Sequence, residues 1–291
     1  MDYMSKMYGC QSMVKDLKRV LVKRPDQGFL VEDYEKWHYK GPLDLAEAQR
    51  EHDRFTEIMR KEGVEVLYHP EPQPNHADSI FTYDPAIITD MGAILFQMGK
   101  ELRKGEEPPM GRRLKEMEIP IHYRIHGGAT IEGGDTLWLD ENTVAIGQGF
   151  RTNHLGLLQM KEALEPLGVT VIPVDLPYFY GPEACLHLMS LISYVDHDLA
   201  VIYSPLFPVP LWKELKERGV DMIDVSETEF NKMGTNILAL TPRKVLMLDC
   251  TPQVQSALES TGCQIFTYKG VEISLKTEGG ATCLTRPILR G

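Results

Sequence analysis

The side chains able to do covalent chemistry stand in short polar runs far apart in the chain. Cys283 ends Gly279-Gly-Ala-Thr-Cys283, and His187 sits in Cys185-Leu-His187-Leu-Met189. Glu132 lies in Ile131-Glu-Gly-Gly-Asp135, and Asp78 and Asp84 bracket Asp78-Ser-Ile-Phe81-Thr-Tyr83-Asp84. A further run is Met233-Gly-Thr-Asn236. A thiol, an imidazole and carboxylates are the parts of nucleophilic catalysis on a cation: the thiol attacks, the imidazole moves protons, the carboxylates clamp. Singly, each has a plainer reading. A cysteine is most often a small buried hydrophobe. A histidine among apolar neighbours is usually a satisfied core residue, and aspartates beside a strand are usually turn residues. What decides between these readings is whether the runs occupy equivalent places in the fold.

An internal repeat puts them there. Short apolar strands begin at Val64, Ile119, Val169, Val220 and Cys263, roughly every fifty residues, and each follows a helix-like stretch. Gly63, Gly168, Gly219 and Gly262 directly precede four of them, where a left-handed residue stops a helix. Ahead of the helices lie further strands at Val20–Val22, Ala93–Phe96, Thr143–Ile146, Leu199–Tyr203 and Val245–Leu248. The helix from Leu45 to Glu62 carries Ala48, Phe55, Ile58 and Met59 on one face. Asn153 can cap a helix whose face holds Leu157, Leu164 and Leu167. Thr251-Pro252 reads as a helix start, and Ser226-Glu-Thr-Glu229 as a capping box. Such units suggest a closed ring rather than a doubly wound sheet, and a single domain over 1–291. The polar runs follow the last strand of each unit, so a ring would bring them to one axial site.

Composition narrows the partners. Lys and Arg number 31 against 42 Asp and Glu, a net charge of −11, which disfavours nucleic acid and anionic lipid and suits a small cation. The start of the chain has no apolar signal core and no run is long enough for a membrane span. The cysteines at positions 10, 185, 250, 263 and 283 have no CxxC spacing, which points to thiols in a reducing cytoplasm. Gly147-Gln-Gly149 lacks the third glycine of a dinucleotide fingerprint. His122 and His126 have zinc-like spacing on what reads as a strand, where they do not share a helical face.

At these residues the chain resembles the pentein, or guanidino-group-modifying, superfamily, and within it most resembles the dimethylarginine dimethylaminohydrolases. The likeness runs from about Leu17 to Arg290 on the joint pattern Asp-Ser-Ile-Phe-x-x-Asp, Ile-Glu-Gly-Gly-Asp, Leu-His-Leu and Gly-Gly-x-x-Cys. It implies a five-bladed α/β propeller. It also implies Cys283 as nucleophile, His187 as general acid and base, Glu132 as a carboxylate beside it, and Asp84 as guanidinium ligand. Asp78 and Phe81 would line the pocket, and Arg103 and Arg151 would hold a substrate α-carboxylate. Two departures bear on substrate. Arginine deiminases and amidinotransferases carry Asp two residues after the histidine, where this chain has Met189, which leaves one guanidinium nitrogen free to bear a substituent. Tyr83 stands where some bacterial relatives have Glu.

The resulting expectation is a cysteine hydrolase converting a substituted, Nω-methylated L-arginine to L-citrulline and an amine through a covalent thiouronium. It needs no metal or organic cofactor and takes a small guanidino substrate rather than nucleic acid or membrane. A homodimer is left open. The aromatic and charged segment from Asp26 to Pro42 is expected to be a mobile lid. The alternatives are an arginine deiminase, an amidinotransferase, and a non-enzymatic ribosome-binding module on the same ring.

Overall fold

Runs of apolar residues alternate with amphipathic stretches, and the chain folds accordingly. The computed structural model describes residues 7–182, 184 and 186–291. They form five three-stranded sheets. The first contains β1 (Leu17–Val22), α1 (Leu45–Lys61) and β2 (Glu65–Tyr68). The second contains β3 (Ala86–Thr89), β4 (Gly92–Leu95), α2 (Glu107–Glu116) and β5 (Ile121–Arg124). The third contains β6 (Thr136–Asp140), β7 (Thr143–Gln148), α3 (His154–Leu164) and β8 (Thr170–Asp175). A short helix α4 (Leu188–Leu191) leads into β9 (Ile192–Asp196), β10 (Leu199–Ile202), α5 (Val209–Glu217) and β11 (Asp221–Asp224). The last unit has α6 (Glu227–Phe230), β12 (Leu238–Thr241), β13 (Lys244–Leu248), α7 (Pro252–Ser260) and β14 (Gln264–Tyr268). The final strand, β15 (Arg286–Arg290), returns to pair antiparallel with β1 and completes the first sheet.

The strands before and after each long helix pair in parallel, because a helical crossover brings the chain back in the same direction. The strand material between units becomes a third strand, antiparallel to the central one. These third strands meet across units, β9 against β12 and β3 against β15, and so line the axis. Burial falls off outward: β3 is buried throughout, whereas β5 and β11 are half-exposed. The result is the expected five-bladed α/β propeller. No helix among the described residues is long and apolar enough to cross a membrane.

Local signals hold in most places. The four glycines ahead of the outer strands take φ of 84° at Gly63, 66° at Gly168, 74° at Gly219 and 84° at Gly262. The second unit makes the same turn without glycine, at Glu118 with φ 60°. Asn153 caps α3, accepting from Gly156 N–H at 2.9 Å. Ala48, Phe55 and Met59 are buried on α1, with Ile58 at the edge. Leu167 falls instead in a 3-10 turn beyond α3.

The capping box at Ser226 does not form, since the Ser226 side chain caps nothing. Glu229 has a better use. Its buried carboxylate accepts the N–H groups of Gln253 at 2.8 Å and Val254 at 2.9 Å, the open donors at the start of α7. Thr251 stands at the N-cap of that helix and Pro252 in its first turn, as the sequence predicts, but the Thr251 side chain makes no capping hydrogen bond. Accordingly Glu229→Ala is expected to destabilise the fold by about 1–2 kcal/mol, and Ser226→Ala by less than about 0.5 kcal/mol, in urea unfolding. Equal losses would contradict this assignment.

Candidate active site

The short helix α4 exists to aim one imidazole. His187 stands at its N-terminus, and its backbone N–H donates to Ser190 Oγ at 3.0 Å. The next amide, Leu188 N–H, donates to Asp135 Oδ1 at 2.9 Å. The ring lies flat against Gly134, where an added Cβ would come within 2.5 Å of Nδ1, so only glycine fits there. His187 Nε2 then meets Glu132 Oε2 at 2.7 Å.

Glu132 is fully buried, and its other oxygen accepts the N–H groups of Gly99 at 3.0 Å and Lys100 at 2.8 Å. Arg151 Nη1 lies 3.8 Å away. Burial opposes ionisation of this carboxyl, but the His187 bond and charge, with Arg151 and Arg103, outweigh it and hold the pKa well below the ordinary value. Glu132 is thus a fixed anion that can both orient the imidazole and stabilise its protonated form.

Cys283 comes from the opposite arc of the ring. Asn236 Nδ2 donates to its Sγ at 3.1 Å, while Asn236 Oδ1 accepts Thr282 N–H at 2.9 Å. One side chain therefore fixes both the sulfur and the backbone that carries it. Gly280 is required because a Cβ there would strike the Asn236 amide at 2.5 Å.

The carboxylate clamp lies between. Asp84 Oδ1 accepts Gly134 N–H at 2.8 Å and Oδ2 accepts Arg103 Nη1 at 2.5 Å. Asp78 accepts from Tyr39 OH and from Lys100 Nζ, each at 2.7 Å. The lysine also sits 5.5 Å from the Trp37 ring centroid. The segment expected as a lid is therefore docked over the site through Trp37, His38 and Tyr39.

Two cavities meet at Cys283 and His187. A narrow slot of about 40 Å³ is walled largely by charged side chains, and all eight residues that the sequence singled out, from Asp78 to Cys283, line it. A wide chamber of about 690 Å³ opens on the other side, where Tyr83, Met189, Phe230 and Met233 share the wall with Glu35, Lys40, Asn236 and Glu278.

The placement of Arg103 differs from expectation. Its Nε and Nη2 are spent on Glu106 and its Nη2 also reaches the Phe81 carbonyl at 3.1 Å, so with Asp84 it forms a buried strut rather than a free carboxylate receptor. Arg151 faces the slot and, among the described residues, its side chain makes only the long contact to Glu132. Three contributors carried no assigned role in the sequence: Asn236, Asp135 and Lys100. Asn236 and Asp135 lie inside the repeated polar runs, which was the available signal. Lys100 had none. Cys10 and Cys263 are buried and Cys250 half-buried, and Cys185 lies outside the described residues.

Comparison with known proteins agrees with this geometry. Residues 35–290 match the model of the family described as "N,N dimethylarginine dimethylhydrolase, eukaryotic". The chain is 26% identical to the N(G),N(G)-dimethylarginine dimethylaminohydrolase of Streptomyces coelicolor, over 92% of this chain and 96% of that one. It is 27% identical to an arginine deiminase of Mycobacterium avium, over 97% and 98% respectively. Among solved structures it is similar to a cysteine-to-serine mutant of the Pseudomonas aeruginosa dimethylarginine dimethylaminohydrolase complexed with citrulline, with TM-score 0.78, 22% identity, and 93% and 99% of the two chains covered.

Asp135 gives the site a pH signature. Burial raises its pKa from 3.8 to about 6, against the pull of His187 and the bonds from Thr152 and Leu188. The folded state therefore holds a proton that the unfolded chain has released, and Asp135 lowers stability progressively as pH rises between about 4 and 6. Asp135→Asn cannot titrate. Its stability relative to the wild type should rise across that interval in urea unfolding, and a constant difference would contradict the assignment.

Proposed function

The chain belongs to the N,N dimethylarginine dimethylhydrolase family and is a hydrolase of carbon–nitrogen bonds in guanidino groups, and from that premise we propose that it converts an Nω-substituted L-arginine to L-citrulline and an amine. One observation carries this reading: the thiol and the imidazole stand at the junction of a narrow slot walled by charged side chains with a wide chamber that leaves room beyond the guanidinium. The slot suits an amino-acid cation, and the chamber, with Met189 in its wall, leaves room for a substituent on the guanidinium.

In this reading Asp84 takes the guanidinium. The substrate shares the oxygen that accepts from Arg103 Nη1. Arg103 stays anchored to Glu106 and holds Asp84 in place, while Arg151, which faces the slot, presents a guanidinium fork well shaped for the α-carboxylate. Asp78 and Phe81 bound the amino-acid side of the slot.

The Cys283 thiolate attacks the central guanidinium carbon, and the bound cation favours the thiolate. Asn236 points an N–H at the sulfur and steadies it. His187, protonated and backed by Glu132, gives its proton to the substituted nitrogen. The carbon–nitrogen bond breaks, the amine leaves into the chamber, and a thiouronium remains on sulfur. Neutral His187 then takes a proton from water, whose oxygen attacks the same carbon. The carbon–sulfur bond breaks, the thiolate leaves, and the ureido product forms.

The second reading is arginine deiminase, favoured by the deiminases among the relatives. Met189 weighs against it. It is 5% exposed on the chamber wall and offers no anion to a second guanidinium nitrogen.

Products from L-arginine, monomethyl-L-arginine and asymmetric dimethyl-L-arginine, read by mass spectrometry, separate the two. Citrulline with methylamine or dimethylamine, and little from arginine, is the expected result. Citrulline mainly from arginine overturns the substrate assignment. Cys283→Ser and His187→Ala should each lower turnover by about 10³-fold or more with the fold intact. Met189→Asp should shift preference towards unsubstituted arginine.

A further inference from the structure

Three charged side chains are buried in a row that starts at the slot and runs behind it. Arg103 Nη1 donates to Asp84 Oδ2 at 2.5 Å on one side. On the other, its Nε and Nη2 donate to the Glu106 carboxylate at 3.0 Å and 2.8 Å. Asp84 and Arg103 line the slot, whereas Glu106 lines neither the slot nor the chamber. Its backbone stands at the start of α2, but its side chain caps no amide there and is turned inward onto Arg103. No step of the reaction described above uses it.

A guanidinium against Asp84 opposes the arrival of a second one. The other carboxylates of the slot are already matched: Asp78 pairs with Lys100 at 2.7 Å, Glu278 with Lys40 at 3.6 Å, and Glu132 with His187 at 2.7 Å and Arg151 at 3.8 Å. Were Arg103 committed to Asp84 alone, that pair too would be neutral, and an entering cation would meet no net charge. Glu106 changes the balance. It engages two nitrogens of Arg103 against the one given to Asp84, so the buried row as a whole is negative by one charge, and Asp84 is its carboxylate at the slot. Coulomb attraction is strong at such depth because little solvent screens it.

We infer that Glu106 is a positioning residue for the guanidinium site: acting through Arg103, its anionic carboxylate leaves Asp84 with the negative charge that draws in a cationic substrate. The inference rests on the guanidino-substrate reading and deepens it. The attraction disappears once the guanidinium has become an uncharged ureido group, so the same device favours substrate over product. It also depends on pH. Burial pushes Glu106 from 4.5 up to about 7, against the pull of Arg103 and with the charges of Asp78 and Asp84 adding to the rise. Tyr39 of the docked segment also faces this cluster, but burial and Asp78 hold its pKa well above the ordinary value, so it stays neutral. Above about pH 7 Glu106 is therefore an anion and supports cation binding, and as pH falls that support is lost.

The test uses the full-length chain carrying Cys283→Ala, which binds without turnover, with and without Glu106→Gln. Affinities for asymmetric dimethyl-L-arginine and L-citrulline are measured by titration calorimetry at about pH 5.5 and about pH 8. The two ligands share their amino-acid end and differ in charge. At the higher pH Glu106→Gln should weaken dimethylarginine binding about tenfold and citrulline binding by less than about twofold. At the lower pH the two proteins should bind dimethylarginine alike, because Glu106 is then neutral in the parent. The titration of His187 is common to both proteins and cancels. Equal losses for both ligands mean that Glu106 only supports the shape of the slot, and no loss means that Arg103 does not transmit its charge. Either result overturns the inference, as does a loss that persists at the lower pH. If Glu106→Gln does not fold, Glu106→Asp decides at the higher pH: a smaller loss confined to dimethylarginine is expected, and an equal loss or none overturns the inference. If the Cys283→Ala parent binds neither ligand, the guanidino-substrate reading itself fails and the inference falls with it.

Discussion

The contact between Glu132 and His187 is the constraint on which the site depends. A fully buried carboxylate is costly unless every lone pair is used. Glu132 meets this by accepting from two backbone amides of the segment after β4 and from the imidazole that opens α4. Three consecutive blades are thereby pinned at one point. Asp135, three residues on, fixes the backbone of that same helix start, so the histidine is held at both its ring and its main chain. The arrangement is rigid because each element is over-determined, which is what proton transfer at a fixed carbon requires.

The ring supplies the rest. Cys283 lies between the last helical unit and β15, the strand that closes the first sheet against β1. Closure therefore carries the nucleophile to the axis, opposite a histidine almost a hundred residues away in sequence. Asn236, on the run after the fourth unit, bridges from its own blade to the sulfur. The repeat is thus more than an architectural motif: equivalent loops face the same space, and chemistry is divided among them.

Much of this is legible in the amino-acid sequence. The spacing of the strands, the glycines that end the helices and the polar runs after each unit pointed to a ring with Asp84, Glu132, His187 and Cys283 at one site; the family resemblance added Asp78, Phe81, Arg103 and Arg151, and all eight line one slot. What escaped the sequence was the assignment of partners. Ser226 and Glu229 have capping-box spacing, yet Glu229 caps a helix more than twenty residues away, because tertiary contact offered two unpaired amides at once. Arg103 reads as a free guanidinium, but Glu106, one helical turn on and just as buried, engages it. Lys100 carries no motif, and only its reach to Asp78 and the Trp37 face reveals a place in the site. Spacing fixes which residues arrive together; which atom pairs with which is settled by burial, where every unpaired polar group is costly.

The central claim is that carbon is transferred to the sulfur of Cys283 before water arrives. The most direct measurement is acid quenching within the first turnovers on asymmetric dimethyl-L-arginine, followed by peptide mass spectrometry. The account predicts an amidino-linked ornithine adduct on the peptide carrying Cys283, transient in time and missing when His187 is replaced by alanine. Full turnover to citrulline with no adduct on Cys283, or with the adduct on another cysteine, would contradict it.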